Sequence, residues 1–182
     1  MPAPQSWSLR GASVPDSGLT YLLWCPAVPL RITWPLTLTS TMFFGISVYA
    51  MICAHRHADN SLRLPGDRDL MLFALSVVEC LLATVSVGHW IDAKTGWRCA
   101  ADKLVAHASF AAFTLVGIAR VRDVHLCVLG WPIWLLMVRF YRIGMHYWNV
   151  DGPMSCRWVA AHAGFHVCGA IGKIMVIYGA RL

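Results

Sequence analysis

The chain has 182 residues, of which 58% are apolar and only 13% are charged, with nine tryptophans and a net charge of +6. Soluble domains have about twice that share of charged residues, so the composition excludes an ordinary soluble protein and indicates a polytopic membrane protein. Many of the basic residues flank apolar runs, where arginine sets membrane topology, so nucleic acid is not an expected partner.

Residues 1–35 are predicted to form an N-terminal loop and an interfacial segment. Three prolines lie within the first 18 residues, and the N-terminus lacks the basic region that precedes the apolar core of a secretory signal. The apolar stretch Leu19–Leu30 is short and is interrupted by Pro26 and Pro29. It therefore predicts an interfacial or re-entrant segment and not a span.

Residues 36–182 are predicted to form one all-α domain, a polytopic transmembrane helix bundle. Crossing a bilayer takes roughly 20 apolar residues in a helix. Five windows qualify or nearly qualify, and the stretches between most of them carry the Arg, Asp, Asn, Gly and Pro expected of exits into water. The predicted spans are Leu36–Ala54, Leu70–Trp90, Ala101–Ala119, Val124–Tyr141 and Arg157–Ala180.

Four ionisable residues fall at one membrane face when the chain is threaded through these spans. We define face A as the membrane face at which the first span begins. His89 lies at the face A end of the second span, and Asp102 lies in the first turn of the third. His162 and His166 follow the start of the fifth span by about 7 and 13 Å. Ionisable groups at membrane depth are costly, by roughly 2.5–3.5 kcal/mol for an Asp on insertion scales, so this convergence predicts a shared metal site.

Each member of the set also has a structural interpretation. His162 and His166 lie one helical turn apart and can bind one ion together, but a chain with eight histidines also produces such a pair by chance. A histidine at a helix end, such as His89, is often interfacial. Asp102 near a helix N-terminus also favours the helix dipole.

Other polar and aromatic residues are predicted to be structural. Glu79 and Lys173 are expected to form a buried ion pair, and His107 an interhelical hydrogen bond. A disulfide between Cys99 and Cys156 is left open. Five tryptophans flank the spans and are predicted to be interfacial anchors: Trp34, Trp90, Trp97, Trp148 and Trp158.

Several stretches resemble the CREST superfamily of membrane hydrolases, which includes alkaline ceramidases, GPI-remodelling lipases and the progestin/adipoQ receptors. They are TVSVGHW around His89, AADKLVAHASF around Asp102, AHAGFHVCGAIGKIMVIYG around His162 and His166, and WPLTLTSTMFFG upstream, together about half of the chain. The family has a Ser and a His near the end of one helix, an Asp opening the next, and HxxxH in the last.

The chain resembles a short, divergent member of this superfamily. The family usually has SxxxH, whereas Val85 stands at that serine position here and Ser86 lies three residues before His89. Because residues three and four apart share a side of a helix, Ser86 can replace the family serine. Family members also usually have more spans than the five predicted here.

The resemblance and the residues together imply a zinc-dependent lipid hydrolase. His89, His162 and His166 would bind Zn²⁺ and leave one position for water. Asp102 would orient that water or accept its proton, and Ser86 would stabilise the oxyanion or hold the Asp. A site just below face A meets the amide or ester linkage of a membrane lipid, so the expected substrate is a ceramide-like lipid, a GPI lipid or a phospholipid. The family also favours an endomembrane location, the endoplasmic reticulum or Golgi.

Two other functions stay open on sequence grounds. Transmembrane histidines such as His107 and His162 could ligate a b-type haem in an electron-transfer subunit. Alternatively, the protein is a non-enzymatic receptor or subunit whose metal is structural, with Asp102 as the fourth ligand.

Overall fold

The computed structural model describes residues 30–58, 67–91, 97–152 and 155–181. These residues form five helices with no β-strand among them, and all five are long and apolar enough to cross a bilayer. The predicted all-α transmembrane bundle with five spans is therefore confirmed, while residues 19–29 of the predicted interfacial segment lie outside the described residues. The helices are α1 (Leu30–Ala58), α2 (Asp67–Ile91), α3 (Trp97–Arg120), α4 (Val124–Val150) and α5 (Cys156–Arg181).

Every helix except α4 extends past the predicted window at both ends. The first helix begins at Leu30 and not at Leu36, and α4 continues to Val150 and not only to Tyr141. Helical backbone hydrogen bonds do not stop where the hydrocarbon core ends, so hydropathy gives the span and not the helix. The end of α4 has a defined cap, because the backbone N–H of Asp151 donates to the carbonyl of Tyr147 at 2.9 Å and Gly152 follows with a φ of +84°.

Side-chain caps fix where α4 and α5 begin. The carboxylate of Asp123 accepts hydrogen bonds from the backbone N–H groups of His125 (2.8 Å) and Leu126 (3.1 Å), which separates α3 from α4. The hydroxyl of Ser155 accepts from the backbone N–H of Trp158 at 3.2 Å at the start of α5. This second cap sets the position of the first turn of α5, and His162 follows one turn later.

A row of hydroxyl groups joins α1 to α2. Its members on α1 are spaced seven residues apart, which keeps them on the side of α1 that faces the antiparallel α2. Thr33 donates to the backbone carbonyl of Trp90 (2.8 Å), and Ser40 bonds to Ser86 between hydroxyl oxygens (2.9 Å). The third member, Ser47, donates to the carbonyl of Ser76 at 2.8 Å, and Ser76 donates back to the carbonyl of Ser47 at 2.9 Å. Small residues allow the backbones to approach, and interhelical hydrogen bonds fix their register in lipid.

The fourth helix contacts only α5 within the described residues, and it does so through glycines. A Cβ atom added at Gly164 would lie 2.8 Å from the Phe140 ring, and one at Gly179 would lie 2.9 Å from Leu126. Gly172 faces Ile133 between these two points. The glycine face of α5 thus allows side chains of α4 to pack closely against the α5 backbone. The same helix also packs against α1.

A buried ion pair links α2 to α5 near the middle of the bundle. Lys173 donates to Glu79 Oε1 and to the hydroxyl of Ser109, both at 2.7 Å, and Ser109 donates to the same carboxylate oxygen at 2.5 Å. The ammonium also lies over the rings of Phe43 (4.6 Å) and Phe113 (5.2 Å). The predicted Glu79–Lys173 pair is confirmed, and Ser109 of α3 extends it to a third helix.

This ion pair predicts a large loss of stability when one charge is removed. Lys173→Met leaves a fully buried Glu79 carboxylate without its cation, which should lower the free energy of unfolding by about 3–5 kcal/mol. The double variant Glu79→Gln/Lys173→Met should recover most of that loss, because no buried charge remains. Unfolding by denaturing detergent in mixed micelles measures both. Arg120→Met, at an exposed position, is the control, and a single Lys173 variant as stable as this control would contradict the prediction.

Candidate functional site

The last two turns of α2 carry two of the predicted site residues, Ser86 and His89. Both are only 2% exposed, and they lie three residues apart on one side of the helix. The hydroxyl of Ser86 is bonded to Ser40 on α1 and lies within hydrogen-bonding range of the Asp102 carboxyl group on α3. The structure therefore brings Ser86 and Asp102 together, which the predicted role of Ser86 in holding Asp102 requires.

The direction of this hydroxyl chain follows from proton counting. An ionised carboxylate accepts hydrogen bonds and cannot donate, and each serine hydroxyl has a single proton. With Asp102 ionised, Ser86 donates to the carboxylate, and Ser40 then donates to the Ser86 oxygen. Lys103 adds a positive charge close to both Asp102 and His89. The carboxylate of Asp102, which is half-buried, thus has a hydrogen-bond donor in Ser86 and a nearby cation in Lys103.

His162 and His166 lie on one face of α5, with ring centroids 4.8 Å apart. His166 is buried, at 7% exposure, and His162 is half-buried. The indole of Trp158 stacks on the His162 ring at 4.8 Å and an interplanar angle of 24°. On the side of α1, Phe43 lies 5.5 Å from the His166 ring. Aromatic rings therefore restrict both imidazoles and exclude water from one side of each.

A hydrogen bond to Thr39 indicates which tautomer the His166 ring adopts. Thr39 Oγ1 lies 3.0 Å from His166 Nδ1 and donates its own proton to the backbone carbonyl of Leu36 at 3.2 Å. With that proton directed to Leu36, the hydroxyl accepts from the ring, and we assign the hydrogen to Nδ1 on this basis. The Nε2 lone pair of His166 is then available to bind a ligand. Histidines that bind metals usually donate their other ring N–H in this way.

Trp90 connects His89 to the histidines of α5. Its ring centroid lies 4.5 Å from that of His89 and 5.5 Å from that of His162. His89 and His162 are also close enough for their charges to interact. His89 Nδ1 is buried and has no hydrogen-bond partner among the described residues. The predicted residues of α2, α3 and α5 thus meet at the same end of the bundle.

The four predicted residues do not form an assembled metal site in the part of the chain that the structure describes. Within the described ranges, no group of three or more His, Cys, Asp or Glu side chains is arranged to hold a metal ion as it stands. The chemistry of the donor set still fits zinc, because it offers three imidazoles, one carboxylate and a buried ring nitrogen without a partner. The unpartnered nitrogen belongs to His89, so this is the ring with a free coordination position.

The structure corrects two predicted tryptophan anchors. Trp90 and Trp158 are 4% and 6% exposed and pack against each other with ring centroids 6.1 Å apart. They are buried because they pack around the imidazole of His162, which hydropathy cannot indicate. Trp34 and Trp97, at 57% and 75% exposure, have the accessibility expected of interfacial anchors.

Two residues that the sequence analysis did not single out, Thr39 and Ser40, contact the predicted site. The stretch WPLTLTSTMFFG contains both, and its content of hydroxyl residues was the available signal. What the sequence could not supply was the register of α1 against α2 and α5. That register decides that Thr39 reaches His166 while Ser40 reaches Ser86.

Two further predictions can be compared with the structure. The prediction for His107 is wrong, because the ring is exposed and bonds to the carbonyl of Lys103 in its own helix at 2.6 Å. Cys99, which is buried, and Cys156, which is exposed, do not form the disulfide that was left open.

No family model matches the chain, and neither the comparison with curated proteins nor that with solved structures gives a match.

The contact between Thr39 and His166 predicts a change that can be observed without any metal. Thr39→Val removes the acceptor, so the tautomer with hydrogen on Nδ1 should lose its preference at His166. Nitrogen-15 NMR of histidine-labelled protein reports this, with the His166 signals assigned by their loss in His166→Gln. The affinity for any divalent ion bound through Nε2 should fall roughly 10–100-fold.

Thr41→Val is the matched control for this variant. Thr41 makes the same type of bond to its own helix, donating to the Leu38 carbonyl at 2.6 Å, but it is exposed. An unchanged His166 tautomer in Thr39→Val, or an equal change in Thr41→Val, would contradict the assignment.

Proposed function

We propose that the protein is a membrane-embedded, zinc-dependent hydrolase that cleaves an amide or ester bond of a lipid. One observation carries the proposal. Three imidazoles and a carboxylate from three helices lie at the same end of the bundle, and His166 holds its Nδ1 hydrogen toward Thr39. With the hydrogen on Nδ1, the Nε2 lone pair of His166 is available as a metal ligand. The resemblance to the CREST superfamily supports the same function.

The proposed zinc ligands are His89, His162 and His166. Catalytic zinc sites have three protein ligands and an open position, which this set provides. His162 and His166 come from one helix face and are already adjacent. Because no three donors are gathered as they stand among the described residues, the proposal requires the His89 ring to turn toward them. Its unpartnered Nδ1 means that this rotation breaks no hydrogen bond at that atom.

The remaining residues have roles in proton transfer and orientation. When bound, zinc polarises a carbonyl oxygen and makes a water molecule acidic near neutral pH. In the proposed mechanism, Asp102 accepts a proton from the attacking water and later returns it to the leaving group. Ser86 donates to the Asp102 carboxylate and keeps it oriented, with Ser40 supporting Ser86 in turn. Neither serine is required as a nucleophile.

The position of the site favours a lipid substrate. His89 lies two residues before the end of α2, so the site is close to the membrane surface while apolar side chains cover the outside of the bundle. The amide or ester linkage of a membrane lipid lies at this depth, with its acyl chains beside the helices. The family resemblance favours a ceramide-like amide, with GPI lipids and phospholipids as the ester-linked alternatives. It also suggests that the protein works in the endoplasmic reticulum or Golgi.

The alternative functions receive less support. A haem held between His107 and His162 requires both rings to face each other, but His107 is exposed and bonded to its own helix. A receptor or subunit with a closed structural metal requires Asp102 as the fourth ligand, and the zinc content of Asp102→Asn tests this. The following two experiments separate these alternatives from hydrolysis.

Removal of single histidines should separate metal binding from folding. Purified wild-type protein is expected to contain about one zinc per chain and to show no haem absorption band. His162→Ala and His166→Ala should lose the zinc, and His89→Ala should hold it weakly. His107→Ala, at an exposed position outside the site, should keep it. Elemental analysis and an absorption spectrum measure these outcomes, and a wild-type protein free of zinc after purification in zinc-containing buffer would count against the proposal.

Asp102→Asn should separate catalysis from metal binding. The amide cannot accept a proton, so hydrolysis should fall by about 10²–10⁴ while the zinc content stays the same. Release of fatty acid from a short-chain ceramide and from a short-chain diacyl phosphatidylcholine, each in mixed micelles, measures the rate and identifies the bond. If Asp102→Asn loses zinc together with activity, Asp102 is a ligand and the structural-metal alternative is favoured.

A further inference from the structure

One strong hydrogen-bond donor at the site has no acceptor. The indole N–H of Trp90 is buried and finds no partner among the described residues, although the residue is only 4% exposed. Buried polar groups in proteins almost always have a partner, so a donor without one requires an explanation. A tryptophan side chain only donates, so whatever satisfies it must be an acceptor.

Four neighbours hold Trp90 in its position. Its backbone carbonyl accepts from Thr33 of α1 at 2.8 Å, and its ring packs against His89 at 4.5 Å, Trp158 at 6.1 Å and, edge to face, His162 at 5.5 Å. Leu36 belongs to the same buried cluster. The indole is therefore fixed from α1, α2 and α5 and stays beside the imidazoles.

The unpartnered N–H lies next to a second unpartnered group. His89 Nδ1 is also buried without a partner, and it belongs to the ring adjacent to Trp90 in sequence and in space. These two groups do not satisfy each other, although their rings are in contact. Two neighbouring buried polar atoms that both lack partners among the described residues indicate a position that a polar ligand can occupy.

We propose that Trp90 Nε1 donates a hydrogen bond to the acyl carbonyl oxygen of the bound lipid, which makes Trp90 a substrate-binding residue. This inference rests on the proposed lipid hydrolase and adds the group that orients the scissile linkage. The carbonyl oxygen is the strong acceptor that an amide-linked and an ester-linked lipid share. Packing against His89 and His162 places the donor beside the proposed zinc ligands, where the carbonyl carbon must lie for attack by water.

Indole NMR tests the hydrogen bond directly. The experiment uses protein labelled with nitrogen-15 at tryptophan and carrying Asp102→Asn, which prevents turnover. The Trp90 signal is assigned by its absence in Trp90→Phe. A short-chain diacyl phosphatidylcholine, its dialkyl ether analogue and a short-chain ceramide are added in turn. The two phosphatidylcholines differ only in the carbonyl groups, so the comparison isolates the acceptor.

The Trp90 indole proton should move downfield with the ceramide, the diacyl lipid or both, and should stay in place with the ether lipid. The lipid that produces the larger shift identifies an amide or an ester as the preferred linkage. No shift with either carbonyl lipid, or an equal shift with the ether lipid, overturns the proposal. A partner for the N–H in the N-terminal residues would give the first of these outcomes.

Trp90→Phe supplies the second measurement. It keeps an aromatic ring and removes the N–H donor together with part of the indole, and the ether lipid controls for the lost packing. Its affinity for the carbonyl lipid should fall about tenfold and its affinity for the ether lipid should not change. Trp97→Phe, at a 75% exposed tryptophan on face A, is the matched control and should match wild type for both lipids. Wild-type affinity for the carbonyl lipid in a folded Trp90→Phe protein overturns the proposal.

The NMR and affinity measurements test the role of Trp90 independently of the proposed hydrolase function. A carbonyl-dependent shift of Trp90 in a protein without zinc or turnover would keep Trp90 as a lipid-binding residue and would overturn only the hydrolase. Zinc binding and turnover with no response at Trp90 would do the reverse.

Discussion

The register of α1 against α2 is the constraint on which the rest of the bundle depends. In lipid, apolar surfaces gain little by packing on each other, so the relative position of two helices is set by close approach and by hydrogen bonds. Thr33, Ser40 and Ser47 supply those bonds at intervals of seven residues, and each meets a partner on α2. Sliding α1 by one turn would break all of them. It would also move Thr39 away from His166, because Thr39 lies next to Ser40 on the same helix.

The fifth helix is held from three directions, and this fixes where its histidines lie. Phe140 of α4 fills the space left by Gly164 on one side, and Thr39 of α1 binds His166 on another. Farther along the helix, Lys173 is bound to Glu79. Residues 162, 166 and 173 share one face of a helix with 3.6 residues per turn. The buried ion pair therefore also sets the rotation of α5 that presents its imidazoles to α2.

The sequence was enough to predict features that depend on position along a helix, but not those that depend on the rotation of a helix about its axis. Hydropathy and helical rise were enough for five spans, for the Glu79–Lys173 pair and for placing His89, Asp102 and the histidines of α5 at one end. The rotation of each helix about its axis could not be obtained in this way. That rotation places Trp90 in the core and His107 on the outside, although both lie in apolar segments.

The distribution of hydrogen bonds at the site also separates the side chains that already have polar partners from those that do not. His166 is tied to Thr39, Ser86 to Ser40, and Asp102 lies within reach of Ser86. His89 and Trp90, in contrast, each have a buried nitrogen with no partner among the described residues. Leaving buried polar atoms unpaired costs free energy, about 1–3 kcal/mol each, which ligand binding can recover. A ligand would therefore gain the most free energy by bonding to His89 and Trp90 at the end of α2. His162 and His166 of α5 would form the surface against which the ligand is placed.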